Sequence, residues 1–367
     1  MAGLLLPTQD LKPGMITAEP VLRHSQVVIK ENTILTTSII QHLAAWRIPT
    51  VRVIEGVISG ASDDRIPEIT INSPSEDHYI FKKRYANIIK TSNALFEHMR
   101  GKETVPYREF HRLATVDLYE LSKDKNILGK LYQVKSYTDY TSCHAVDTGI
   151  IAGVMGAWLK FPPDKVQTLI LCGLMHDIGK SQIPKAILEK PGPLTAEERK
   201  TVNLHPEYGY YMAKNIPNML PEVGLTILHH HERENGAGYP RKKRACDIHP
   251  FAKIVSIADM YDAMTTERSY QKSVSPFKAL EALIDAMYIE FDKTFCIALI
   301  QNICQSLLGS VVLLNDGAQA VVLRFPYFMS SKPVVCAKNG KVIDLYSNPL
   351  VSVVEVLEFT SDSANNC

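Results

Sequence analysis

The sequence carries almost no net charge: 40 Lys and Arg stand against 39 Asp and Glu, a formal +1. So even a balance gives no global basic field of the kind that draws nucleic-acid polymers to a surface. Its seven cysteines are odd in number and show no C-x-x-C spacing. That argues against a disulfide framework and for a reducing, cytoplasmic setting. The longest apolar stretch, around residues 150–159, falls short of the ~20 residues that cross a bilayer, so no membrane insertion is expected. The opening Met1-Ala2-Gly3-Leu4-Leu5-Leu6-Pro7 has neither a basic start nor a long apolar core, and no secretory signal is read there. Internal repeats and low-complexity tracts are missing as well. What the chain does have is length and apolar content, 367 residues at 46% hydrophobic. These allow two or three domains and a real core.

The pattern changes along the chain. In residues 1–77, Val27-Val28-Ile29 and Val51-Arg52-Val53-Ile54 look like strands. Thr36, Thr37 and Ser38 offer an N-cap ahead of Ile39, Ile40, Leu43 and Ala44 at helical spacing. This reads as a small α/β module, with residues 56–77 as a Gly-, Ser-, Asn- and Pro-containing linker. Over 78–133 the apolar positions Ile80, Tyr85, Ile88, Ile89, Leu95, Phe110, Leu113, Val116 and Leu121 predict connecting helices. Residues 134–308 are helical by pattern. Residues 145–159 form one apolar helix and 166–177 another, with Gly179 as its C-cap. Thr195 and Glu198 make a capping box, and Ser275-Pro276 opens a further helix. In residues 309–367 strands are expected at Val311-Val312-Leu313-Leu314, Ala320-Val321-Val322-Leu323 and Val334-Val335-Cys336. Turns fall at Asn315-Asp316-Gly317 and Asn339-Gly340. The fold class is mainly α, with a small α/β N-terminal module and a short β-rich C-terminal extension.

The chemistry-bearing residues fall within the helical region. His176-Asp177-Ile178-Gly179-Lys180 is followed by His205, by His229-His230-His231, by Gly238-Tyr239-Pro240 and by Asp259. That is more imidazole and carboxylate than one ion can use. Such a mixture suits first-row divalent metals, and a carboxylate shared between two ions suits a two-metal hydrolase. A single buried His is usually a hydrogen-bonded core residue; His205 is read as a ligand because it stands in order within a full series. Consecutive helical residues point ~100° apart, so three neighbouring imidazoles cannot face one ion. His229 is therefore assigned to a supporting or surface role. Cys143 and Cys172 are read as small packing residues, and Arg241-Lys242-Lys243-Arg244 as a solvated loop.

Residues 140–270 resemble an HD-GYP domain, a subgroup of the HD-superfamily phosphohydrolases. The resemblance is carried by Tyr140-Thr141-Ser142-Cys143-His144, by the His176–Lys180 signature, and by the stretch from Lys190 to Thr195 with His205-Pro206-Glu207-Tyr208-Gly209. It continues through His230-His231-Glu232, Asn235 to Pro240, and Asp259 to Tyr270 by way of Asp262 and Arg268. It implies a helical HD-type catalytic domain over 134–308. It also implies one divalent ion on His144, His176, Asp177 and Asp259 and a second on His205, His230 and His231, with Asp177 bridging. Iron or manganese suits that donor set. Lys180 and Arg268 would hold phosphate; Tyr239 would contact phosphate or steady its loop. Lys180 lies four residues after His176, which a continuous helix would place on the same face. Asp262 would orient a ligand His, and Glu232 would play a supporting part. Some relatives carry Glu where this chain has Tyr140 and bind a third metal there, so two metals are expected. Asn235 stands where Asp is frequent, which bears on loop geometry. The implied reaction opens a 3′,5′-cyclic dinucleotide, cyclic di-GMP foremost, by attack of a metal-bridging hydroxide. Cyclic GMP-AMP is the alternative substrate. Two other classes are a non-catalytic cyclic-dinucleotide sensor, kept open by terminal modules without catalytic motifs, and an HD-type diiron oxygenase. The latter does not account for Lys180, Arg268 and the Gly-Tyr-Pro segment together. The N-terminal module offers a surface for a second copy or a signalling protein.

Overall fold

Alternating β-branched residues build the first unit. In the computed structural model, which describes residues 4–12, 15–23, 26–29, 35, 40, 43–44, 48–54, 76–102, 104–134, 140–266, 273–325 and 331–359, the chain divides into two units, Met1–Pro67 and Glu68–Cys367. The first contains β1 (Leu4–Pro7), β2 (Ile16–Thr17), β3 (Val21–Arg23), β4 (Gln26–Ile29) and β5 (Thr50–Ile54). Strand β5 is central and antiparallel to both neighbours, with Leu4 opposite Val53 and Ile16 opposite Ile54. Its period of two turns Val51 and Val53 inward onto Leu11, Val21, Leu35 and Leu43. Strands β4 and β5 coincide with the two expected from sequence. The expected cap at Thr36, Thr37 and Ser38 lies outside the described residues.

The second unit begins with a long helix, α1 (Glu76–Met99). After α2 (Tyr107–Arg112) the chain passes through a π-helical stretch, Leu113–Leu118, into α3 (Tyr119–Ser122) and α4 (Ile127–Val134). Then come α5 (Tyr140–Trp158), α6 (Pro163–Met175), α7 (Lys185–Leu188), α8 (Ala196–Val202), α9 (His205–Lys214) and α10 (Pro221–His229). Helices α11 (Pro250–Thr265), α12 (Pro276–Ala286) and α13 (Lys293–Ser306) complete the helical part. Helix α5 is buried on every side from Ser142 to Gly156, as its apolar composition requires. It meets α6 at a glycine contact: a Cβ on Gly173 would come within 2.6 Å of the Gly149 Cα. The capping box at Thr195 and Glu198 forms, and Ser275 caps α12 by accepting from the Lys278 N–H.

Helix α6 corrects one expectation. It ends at Met175, before the signature pair, and Ile178–Gln182 is a 3₁₀ helix. Gly179 is therefore no C-cap. Its reason is close approach: a Cβ there would overlap the His205 carbonyl oxygen and press on the Gly209 nitrogen.

The C-terminal strands β6 (Val311–Leu314), β7 (Gln319–Arg324), β8 (Val334–Ala337), β9 (Val342–Asp344) and β10 (Val353–Glu358) form one antiparallel sheet, ordered β10-β6-β7-β8-β9. The three expected strands are β6, β7 and β8; β9 and β10 went unread. Val312, Leu314, Val322, Val335 and Val356 join the core of the helices, so the sheet has no separate core. Among the described residues no helix is long and apolar enough to cross a membrane.

Candidate metal centre

Five elements converge on one buried spot. His144 comes from the second turn of α5 and Asp259 from the third turn of α11. His176 follows the last residue of α6, and Asp177 begins the turn into the 3₁₀ helix. His205 opens α9, while His230 and His231 follow α10. His144, His176, Asp177, His205 and His230 are at most 2% exposed, and Asp259 is 8% exposed. The ligand-type atoms fall into two groups, each within 4.8 Å: an inner one of His144, His176 and Asp259, and an outer one of Asp177, His205, His230 and His231.

Asp177 faces both groups. Its Oδ1 is 3.2 Å from His205 Nε2 and 3.8 Å from His230 Nε2. Its Oδ2 is 3.2 Å from His176 Nε2 and 3.8 Å from His144 Nε2. One carboxylate thus presents a separate oxygen to each set of imidazoles. Asp259 spans the same gap less closely, with Oδ1 3.1 Å from His144 Nε2 and Oδ2 3.9 Å from His231 Nδ1.

The rings are held in one tautomer. The Nδ1–H of His176 donates to the Gly173 carbonyl at 2.6 Å, that of His205 to Val202 at 2.8 Å and that of His230 to Ile227 at 2.8 Å. His144 Nδ1 donates to Asp262 Oδ2 at 2.8 Å, and Thr266 Oγ1 donates to the other Asp262 oxygen at 2.9 Å. Carbonyls and carboxylates only accept, so each Nδ1 carries the proton and each Nε2 faces the centre. Burial, followed by neighbouring imidazole charges, holds His230 and His231 well below the usual histidine range; burial also lowers His205. These rings are neutral near pH 7. His205 Nε2 and His230 Nε2 then aim two lone pairs at each other across 3.2 Å. His176 Nε2 and Asp177 Oδ1 are buried without a hydrogen bond. A cation between such atoms would satisfy all of them, so the donor set fits divalent metal.

The carboxylates are ionised. Burial alone would raise Asp177, but the charges of His176 and Lys180 outweigh it and hold the group well below the usual range. Asp259 is likewise lowered, burial being overcome by its bond to His144. For His144, burial is overcome by its bonds to Asp259 and Asp262, which raise it to about 9.

The family model of the HD domain matches residues 124–294. Those residues form an HD domain. A cyclic di-GMP phosphodiesterase of Pseudomonas aeruginosa is 33% identical over 198 residues, which are 54% of this chain and 48% of that protein. A cyclic di-GMP phosphodiesterase response regulator of Xanthomonas campestris is 29% identical, over 65% of this chain and 64% of its own. A 3′3′-cGAMP-specific phosphodiesterase of Vibrio cholerae is 31% identical, over 42% and 30%. The chain spans less than two thirds of the length of each of these relatives.

Within the HD domain the remaining expected residues separate. Lys180 does not share a helical face with His176, because α6 has ended; the 3₁₀ turn instead brings its Nζ to 2.5 Å from Asp177 Oδ2. Tyr239 stacks on His231 with ring centroids 4.6 Å apart, and burial pushes its phenol pKa up, so the hydroxyl stays protonated. Arg268 and Tyr270 lie outside the described residues. Tyr140 stacks on His144, centroids 5.3 Å apart and rings within 9° of parallel. His229 is buried and belongs to neither metal-type group, which excludes a surface role. Asn235 Oδ1 accepts the Ala237 N–H at 2.9 Å, a bond Asp could equally make. Cys143 and Cys172 are buried, and burial pushes Cys172 up to about 12. Arg241 of the basic run is exposed and pairs with Glu207 at 3.2 Å. Sequence reasoning missed Arg233, whose guanidinium binds the turn after α10. It also missed Tyr85, whose hydroxyl donates to buried Asp147 at 2.7 Å, three residues past His144. Tyr85 has no local sequence signal, because its partner is distant in the chain, and what Arg233 adds to its local carbonyl bonds is a reach to Ser256 on α11.

Proposed function

We propose that this chain is a metal-dependent phosphodiesterase that opens a 3′,5′-cyclic dinucleotide to its linear form, with cyclic di-GMP as substrate and cyclic GMP-AMP as the alternative. The observation that carries the reading is Asp177, whose two oxygens face two separate sets of imidazoles. Two ions would be held, one by His144, His176, Asp177 and Asp259, the other by Asp177, His205, His230 and His231. Iron or manganese suits these nitrogen and oxygen donors. Bound there, the pair supplies Lewis-acid charge and an activated water for attack on phosphorus.

The protein's own part is positioning and charge. The Nδ1 hydrogen bonds aim four imidazoles inward before any ligand arrives. Lys180, 23% exposed at its side chain, can turn its ammonium from Asp177 to a phosphate oxygen. Arg268 supplies a second phosphate contact, and Tyr239 walls the outer group. The named activities of the relatives support a cyclic dinucleotide as the substrate class.

The test is anaerobic purification, elemental analysis, and turnover of a cyclic-dinucleotide panel. Two ions of iron or manganese per chain with release of linear dinucleotide is the expected result. Binding without turnover by the fully loaded protein would make it a sensor, and product formation that requires O₂ would make it an oxygenase.

A further inference from the structure

The turn after α10 is fastened by two side chains outside the metal-ligand set. Glu232, only 3% exposed, accepts the backbone N–H of Arg241 at 2.6 Å and of Lys243 at 2.9 Å. Its carboxylate thereby ties the far side of the Gly238-Tyr239-Pro240 segment back to the residue beside His231. The near side is tied too, since the Tyr239 N–H donates to the His231 carbonyl at 3.2 Å. Gly238 is pressed so closely between them that a Cβ would lie 2.6 Å from the Glu232 Cα.

Arg233 fastens the other flank. Its Nη1 donates to the Glu232 carbonyl at 3.0 Å, to the His230 carbonyl at 3.3 Å and to Ser256 Oγ at 2.7 Å. Its Nε lies 3.4 Å from Glu290, and the guanidinium sits 4.7 Å over the Phe291 ring. Ser256 is one turn before Asp259 on α11. A single side chain thus joins the backbone of His230 to the helix that carries the inner carboxylate.

His231 needs this support. His144, His176, His205 and His230 are each oriented by a hydrogen bond from Nδ1. Among the described residues His231 has no such bond; its ring is set by stacking on Tyr239 and by the path of the turn. We infer that Glu232 and Arg233 are positioning residues for the outer ligand group. Glu232 holds Tyr239 against the His231 ring, and Arg233 holds the His230-His231 turn at a fixed distance from α11. This rests on the two-metal reading above. Neither residue is replaceable by its nearest relative. A carboxylate accepts from two N–H groups, whereas Gln turns an NH₂ toward one of them. Lys has one nitrogen, so it cannot keep the Glu290 contact made through Nε together with the contacts made through Nη1.

The experiment is anaerobic Mn(II) titration by calorimetry with elemental analysis. It uses the full chain as wild type, Glu232→Gln, Glu232→Ala, Arg233→Lys and Arg241→Ala, with folding checked by circular dichroism. The expected result is two ions in wild type, and in the Glu232 and Arg233 variants an inner ion bound as before with the outer ion ~10–100-fold weaker, recovered at excess metal. Arg241→Ala should match wild type, because Glu232 holds the backbone of residue 241 and not its side chain. Wild-type affinity for both ions in folded Glu232→Gln and Arg233→Lys would overturn the inference, and so would equal weakening of both ions. Should Glu232→Ala not fold, those two conservative variants decide. A wild type that binds fewer than two ions would instead remove the two-metal reading, and this inference with it.

Discussion

Two of the three inner residues differ from the outer imidazoles in the part of a helix they occupy; the third, His176, follows the end of α6. His144 and Asp259 project from within α5 and α11, where backbone hydrogen bonds run on both sides. His205, His230 and His231 stand at a helix start, a helix end and the turn beyond it. The inner side chains of His144 and Asp259 inherit rigidity from buried helices, α5 being packed on α6 at a glycine contact. The outer ones depend on local devices: the 3₁₀ turn against His205, the carbonyl bonds of two rings, and the fastened Gly-Tyr-Pro segment. Such a division teaches where the proposed two-ion site would be robust and where it could be disturbed without touching a proposed ligand.

Removing the shared residue should abolish the distinction. Asp177→Ala is expected to lose both ions and bring hydrolysis to background while the helical spectrum survives, since the core is apolar packing. Metal analysis with circular dichroism checks this; a variant with full metal and activity would refute the bridge. The next effect is one-sided. Asp262→Asn weakens the support of His144 and should reduce inner-ion affinity ~10–100-fold, leaving the outer ion unchanged in the same titration.

A third prediction separates the groups by pH. His144 is raised to about 9, so below that pH an ion must displace its proton. Inner-ion affinity should fall about tenfold for each unit from pH 8 to 7. The outer imidazoles are lowered by burial and already neutral there, so outer-ion affinity should stay flat. Parallel slopes for both ions would erase the comparison. The smallest effect on metal belongs to Lys180→Ala. Lys180 and an ion draw on the same Asp177 oxygen, so neither ion should weaken. Turnover should drop ~10–100-fold for the loss of a charge-assisted phosphate contact of about 1.5–3 kcal/mol. Steady-state kinetics with metal analysis checks both halves.

Much of this was legible in the sequence because it is local. The Thr195 capping box, the Ser275 cap and the turns ending in Gly317 and Gly340 follow from residues within a few positions of each other. The seven residues expected to hold metal are brought together at the centre, and the ordered motif series had already grouped them. What the sequence hid was non-local. Nothing near residue 175 announces that α6 stops there; the close approach of Gly179 to the His205 carbonyl, 26 positions later, belongs to the packing. Strand β10 escaped notice because its partner β6 lies some 40 residues earlier. Lys180 was placed on the wrong face for the same reason that Gly179 was read as a cap.

Helix α1 carries a mechanical consequence. Its Tyr85 is fastened to Asp147 on α5. Just past its end the Gly101 N–H donates to the Ser181 carbonyl, and the Gln182 amide donates to the Lys102 carbonyl. One rod therefore touches the helix of His144 and the turn of Lys180. With Tyr85 as fulcrum, the arm to Met99 is about 21 Å at 1.5 Å per residue. A tilt of ~3° about that point displaces the far end by about 1 Å, the scale at which misplacement of reacting groups costs about a hundredfold in rate.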